Sequence, residues 1–165
     1  MDNMEKIIYA LENEEKIYQK LLSLSEEKKK FIIEGKINEI DRILQIENSL
    51  ILEINKLENE REEAVIKLAN EMGLPRENLT VTYVCEVVKD PRCDSLKEIT
   101  HRIGDVLAKL KEVNDVNGKL IQQSLEYIKF SINLITDSLE PHDGIYEAKT
   151  HEDKDKKVSL FDAKV

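Results

Sequence analysis

From Leu107 to Leu139 apolar residues recur every three or four positions, at Leu107, Leu110, Val113, Leu120, Ile121, Leu125, Ile128, Ile132, Ile135 and Leu139. Such spacing gathers them on one face of a long helix, which must cover that face with other helices to be stable. Asn114, Asn117 and Gly118 interrupt the pattern in its middle. Asn and Gly each cost a helix interior roughly 0.5–1 kcal/mol relative to Ala, so a sequence that keeps them is making room for a backbone or a partner.

The same periodicity organises the rest of the chain. A first helix is expected from Asp2 to Glu34, with Met4, Ile7, Ile8, Leu11, Tyr18, Leu21, Leu22, Phe31 and Ile32 as its buried stripe. Gly35 breaks it and supplies a tight turn. A second helix follows from Lys36 to Met72, with a stripe of Ile37, Ile40, Leu44, Ile51, Ile54, Leu57, Arg61, Val65, Leu68 and Met72. A turn this short makes the two helices antiparallel. Gly73, Leu74 and Pro75 end the second helix. Val81 to Val88 favours a strand by propensity, but a lone strand would leave its backbone unpaired. The expectation is a short helix opened by Thr80 and closed near Lys89. Ser95 with Glu98 forms a capping-box pattern that should open the third long helix, which runs to Leu139.

The fold class is therefore all-α: an elongated antiparallel bundle of three long helices, with a short linker helix and a flexible C-terminal tail. Residues 1–139 form the bundle and residues 140–165 the tail. Three helices this long leave apolar surface exposed unless a fourth joins them, from a second copy or from another protein. The tail is dense in mixed charge, with two apolar islands, Ile145–Tyr146 and Val158–Val165, that read as short docking motifs on a tether.

Composition excludes several function classes. The chain has 165 residues, 36% of them charged, with five glycines, three prolines and a net charge of −9. An acidic surface repels phosphates, so nucleic acid is not an expected partner. No apolar run reaches the roughly 20 residues needed to cross a bilayer, and no signal-peptide pattern opens the chain, which points to the cytoplasm. Cys85 and Cys93 lack metal or redox spacing. Glu98 and His101 match the Glu-x-x-His spacing of di-iron bundles, but those sites need a second such pair, and the sequence has none. There is no phosphate-binding glycine loop and no nucleophile elbow, so neither an enzyme nor a cofactor is expected.

Several segments together resemble the FlgN family of flagellar export chaperones. They are Leu57-Glu58-x-x-Arg61, then Val113-Asn114-x-x-Asn117-Gly118-x-Leu120-Ile121 with Ser124-Leu125-x-x-Ile128, and Ile145-Tyr146-x-Ala148 in the tail. The resemblance implies binding of the amphipathic C-terminal region of hook-filament junction (hook-associated) proteins. Val113, Asn114, Asn117, Gly118, Leu120, Ile121, Leu125 and Ile128 would form the contact. It also implies that Ile145 and Tyr146 dock on the cytoplasmic part of the membrane export gate. The residues alone leave a second reading open, a structural coiled-coil scaffold that fills its free face with its own copy. The expected oligomeric state is a monomer or weak homodimer.

Overall fold

A computed structural model describes residues 2–74 and 80–139, and its regular elements are all helices. They are α1 (Asn3–Glu34), α2 (Ile37–Glu71), α3 (Val81–Val88) and α4 (Cys93–Leu139), the last being the third long helix of the sequence reading. Two compact units divide the chain, Met1–Ile128 and Lys129–Val165. The described part of the second unit is the end of α4, where Phe130, Ile132, Leu134 and Ile135 are exposed. Ile145 and Tyr146 lie outside the described residues, as does the rest of the tail from 140 onward.

Local chemistry sets the helix ends. The Asp2 carboxylate accepts from the Glu5 N–H at 2.7 Å while the Glu5 carboxylate accepts from the Asp2 N–H at 3.0 Å, a capping box that satisfies two otherwise orphaned donors. At the other end of α1, Gly35 adopts φ 67°. The Lys36 N–H then reaches back to the Phe31 carbonyl at 2.9 Å, a Schellman turn that a residue with a Cβ would strain. Gly73 repeats the device after α2, with the Leu74 N–H bonded to the Ala69 carbonyl. The short helix opens at Thr80, whose hydroxyl accepts from the Tyr83 N–H, and closes at Lys89 in the left-handed region, as the sequence predicts. The start of α4 differs from expectation. The helix begins at Cys93, and Asp90 organises it by accepting from the Arg92 N–H at 2.8 Å. Ser95 therefore lies inside the first turn, and Glu98 pairs with Arg102 at 3.2 Å instead of closing a cap.

Interhelical hydrogen bonds fix the directions. Along α1 from Asn3 through Glu14 and Ser25 to Lys28, the bonded residue of α2 lies 68, 47, 22 and 19 positions away. The shrinking separation means that α2 runs antiparallel to α1. Against α4 the separation holds between 87 and 92, at Asp2–Arg92, Glu15–Arg102, Ser25–Asn114 and Ser25–Asn117. That helix runs parallel to α1.

Two apolar clusters fill the space between the helices. Near the start of α1, Met4, Ile7 and Leu11 pack with Ala64, Val65, Val84, Cys85, Leu96, Ile99 and Ile103. Further along, Ile17 and Leu21 pack with Leu50, Ile54 and Leu57, and Leu110 rests against them. Burial pushes the Cys85 thiol up to about 12, which leaves it protonated and unreactive beside Cys93. Ile54, Leu57 and Val65 of the expected α2 stripe are buried, but the first half of the helix is shifted from its expected register. Ile43 and Leu50 are buried, whereas Leu44, Ile51, Ile37 and Met72 are exposed. Each buried residue sits beside an equally apolar neighbour, and spacing alone cannot choose between them; packing on α1 does.

Arg92 ties the start of α1 to the turn that leads into α4, bonding Asp2 at 2.8 Å and Asp90 at 2.6 Å. It holds the Asp90 carboxyl down from its ordinary 3.8 to about 2. A carboxylate with a depressed folded pKa adds stability above its ordinary value and loses it as pH falls through the folded one. Arg92→Ala should therefore melt below the wild type at neutral pH, and circular-dichroism melts should show that gap closing as pH drops through about 2.

Candidate partner-binding face

The α1 seam carries polar side chains in positions where apolar ones are usual. Glu14 is buried to 3% exposure and receives the Arg61 guanidinium at 3.2 Å. Burial raises the Glu14 carboxyl, and the Arg61 charge pulls it back. Glu15 accepts two bonds from Arg102, at 2.8 and 2.9 Å, which lowers its carboxyl. A third polar layer centres on Ser25, which is 1% exposed. Its hydroxyl lies 3.0 Å from Asn114 Oδ1 and 3.3 Å from Glu47, and Lys28 donates to both oxygens of Glu47 at 2.7 Å. Asn117 Nδ2 donates to the Ser25 carbonyl at 2.9 Å. This layer joins all three long helices at one level.

The expected contact residues fall into two groups on either side of that layer. Asn114 and Asn117 spend their side chains on Ser25; Asn117 is 3% exposed and belongs to the seam between α1 and α4. Val113 and Leu120 are half-buried. Ile121, Leu125 and Ile128 are exposed, Leu125 to 52%. Gly118 is exposed, and a Cβ added there would meet nothing within 4 Å. Among the described residues nothing makes a close approach to it.

Helix lengths explain the division. At the offset set by Ser25 and Asn114, α1 ends at Glu34 level with about residue 123 of α4. Leu96, Ile99, Ile103, Asn117, Ile121, Leu125 and Ile128 share one face at three-four spacing. The α1–α2 pair covers its beginning, and the cover runs out around Ile121. Spacing identified this face, but the Ser25–Lys28–Glu47 layer went unread. Its signal was present, because Glu14, Ser25 and Lys28 continue the three-four series of Met4, Ile7, Leu11 and Leu21.

Comparison with known proteins names the family. The FlgN protein family model matches residues 1–153. The chain belongs to the FlgN family. It is thus a flagellar export chaperone, of a family that is not enzymatic. The "Uncharacterized protein YvyG" of Bacillus subtilis (strain 168) is 28% identical over 148 residues, which cover 90% of each chain. No solved structure matches significantly. No helix among the described residues is long and apolar enough to cross a membrane.

Seam and free face respond differently to truncation. Asn117→Ala should lower stability by about 1–2 kcal/mol through the lost bond and the void. Leu125→Ala should change it by less than about 0.5 kcal/mol. Gly118→Ala should raise it by about 0.5–1 kcal/mol, since the new methyl meets no neighbour and restrains the unfolded chain. Urea unfolding of the three variants would order them in this way if the seam and the face are correctly divided.

Proposed function

We propose that this FlgN-type chaperone binds the amphipathic C-terminal helix of hook-filament junction proteins on the uncovered face of α4. One observation carries the reading: the apolar seam that α1 and α2 cover as far as Asn117 continues uncovered through Ile121, Leu125 and Ile128. A helix laid along that ridge extends the bundle in the way the chain's own helices do. Withdrawing each half-exposed Ile or Leu from water contributes about 1 kcal/mol, so these three residues alone fall short of a stable complex and the contact must extend beyond them.

Before export, the chaperone holds the subunit's apolar stripe away from premature self-association in the cytoplasm. Ile145 and Tyr146 then anchor the complex on the cytoplasmic part of the export gate, where a lone aromatic in a polar segment makes an effective small anchor. Release requires no nucleotide or metal; it follows from exchange at the gate.

Calorimetric titration with the C-terminal segments of the same organism's two junction proteins tests this, with flagellin's segment as control. Binding of a junction segment at roughly micromolar strength, about −8 kcal/mol, is expected. Leu125→Glu should abolish it without loss of helicity. No binding to either segment, in a chain that sediments as a stable dimer, would replace the chaperone reading with a scaffold. Removing residues 140–165 should leave binding intact and impair export in a motility assay.

A further inference from the structure

The face of α4 is one wall of a groove. Ile51, Ile54 and Glu47 of α2 and Leu110 and Asn114 of α4 line a single open groove of roughly 370 Å³, with Leu21 and Ser25 of α1 as its floor. Ser25 touches Glu47 on one side and Asn114 on the other, so these positions stand at the same level. Both walls can be followed from there toward the Gly35 turn. Residues seven apart on a helix return to nearly the same face. On α2, which runs backwards in this direction, Ile51 is followed by Leu44 and then Ile37. On α4, Asn114 is followed by Ile121 and then Ile128. All five of these apolar residues are exposed, Ile37 to 75%. At the level set by Glu47 and Asn114, Ile51, Leu44 and Ile37 stand opposite about residues 110, 117 and 124, so an apolar ridge on α2 accompanies α4 as far as Ile121 and Leu125 and ends short of Ile128. The α2 ridge was expected to pack inside the bundle, and the structure leaves it in solvent.

We propose that α2 supplies the second wall of the docking site, and that Ile37, Leu44 and Ile51 grip the opposite side of the partner helix from Leu110, Ile121 and Leu125. This rests on the chaperone reading above and makes it more specific: the partner must carry an apolar stripe broad enough to touch two ridges. The occupant is an amphipathic helix of another protein, with basic residues flanking its stripe. Charge carries that choice. Between Ile37 and Glu58 helix α2 carries Glu39, Asp41, Glu47, Glu53 and Glu58 against Arg42 and Lys56; Glu58 lines the groove, Glu47 is held by Lys28, and the whole chain has a net charge of −9. A basic-flanked helix is drawn to such a wall, and a second equally acidic copy is repelled from it.

The test uses the full chain and the junction-protein C-terminal segment in calorimetric titrations. Three proteins are compared: wild type, Leu125→Glu on the α4 wall, and the double variant Ile37→Gln with Leu44→Gln on the α2 wall. The two α2 residues are exposed, so far-ultraviolet circular dichroism should show an unchanged fold. Should the double variant melt early, Leu44→Ala takes its place. The groove predicts that the α2 variant weakens binding by about tenfold or more. It also predicts that affinity falls as salt is raised. Wild-type affinity in the α2 variant, alongside lost binding in Leu125→Glu, would overturn the groove and leave the chaperone reading standing. Affinity insensitive to salt would overturn the basic-flanked partner. No binding by the wild type itself would overturn the chaperone reading and the groove with it. A wild-type dimer that the α2 variant dissociates would assign the groove to a second copy and so overturn the proposal.

Discussion

The polar layer around Ser25 sets the register on which the rest of this bundle depends. Leucines and isoleucines along a helical seam can slip by a turn at little cost, because one apolar contact is much like the next. A buried hydroxyl, a largely buried ammonium–carboxylate pair and the buried Asn117 amide cannot slip without losing partners where little water is at hand to replace them. Ser25 accordingly meets Glu47 and Asn114 at one level, and Lys28 and Asn117 reinforce the joint. Such polar inclusions contribute less to stability than to uniqueness, as a single polar seam residue does in coiled coils. The Glu14–Arg61 and Glu15–Arg102 pairs repeat the device nearer the start of α1. With register fixed, the lengths of α1 and α2 determine which part of α4 is left uncovered.

Much of this architecture is legible in the sequence because its determinants are local. Gly35, Gly73 and the Thr80–Lys89 segment terminate helices through bonds spanning a few residues, and composition announces them. Two features escape the sequence reading. The start of α4 is organised by Asp90, which accepts from the Arg92 N–H two residues on, while the Ser95–Glu98 pattern offers a competing local cap; the Arg92–Asp2 bond that anchors this turn on α1 spans 90 positions. The α2 register depends on choosing between Ile43 and Leu44, and between Leu50 and Ile51, a choice that only the facing α1 surface makes. The candidate face was partly legible for the same reason. Periodicity identifies the helix side that carries Asn117, Ile121 and Leu125, but says nothing about where the cover stops. That requires the α1–α4 offset, which the Ser25 layer supplies.

A binding protein of this kind faces conflicting demands. It must keep apolar residues in solvent without associating with itself, yet yield them to a helix of the right pattern. On the reading proposed above, acidic residues near the exposed isoleucines and leucines would discourage like-charged copies while leaving the ridges open to a partner helix. Asn114 and Asn117 mark the border where internal packing gives way to the open face.

The two-residue turn at Gly35 has a kinetic consequence. Hydrogen bonds between α1 and α2 span from 19 to 68 residues and can form outward from the turn, whereas the α1–α4 hydrogen bonds span about 90. Loop-closure entropy and contact order therefore favour the α1–α2 hairpin as the first structure to form, with α4 docking on it afterwards. Run in reverse, the same ordering makes α4 the helix that detaches at least cost. Its amides should exchange with solvent through openings that leave the hairpin intact. The helix that bears the uncovered ridge is thus also the one whose attachment is most easily loosened.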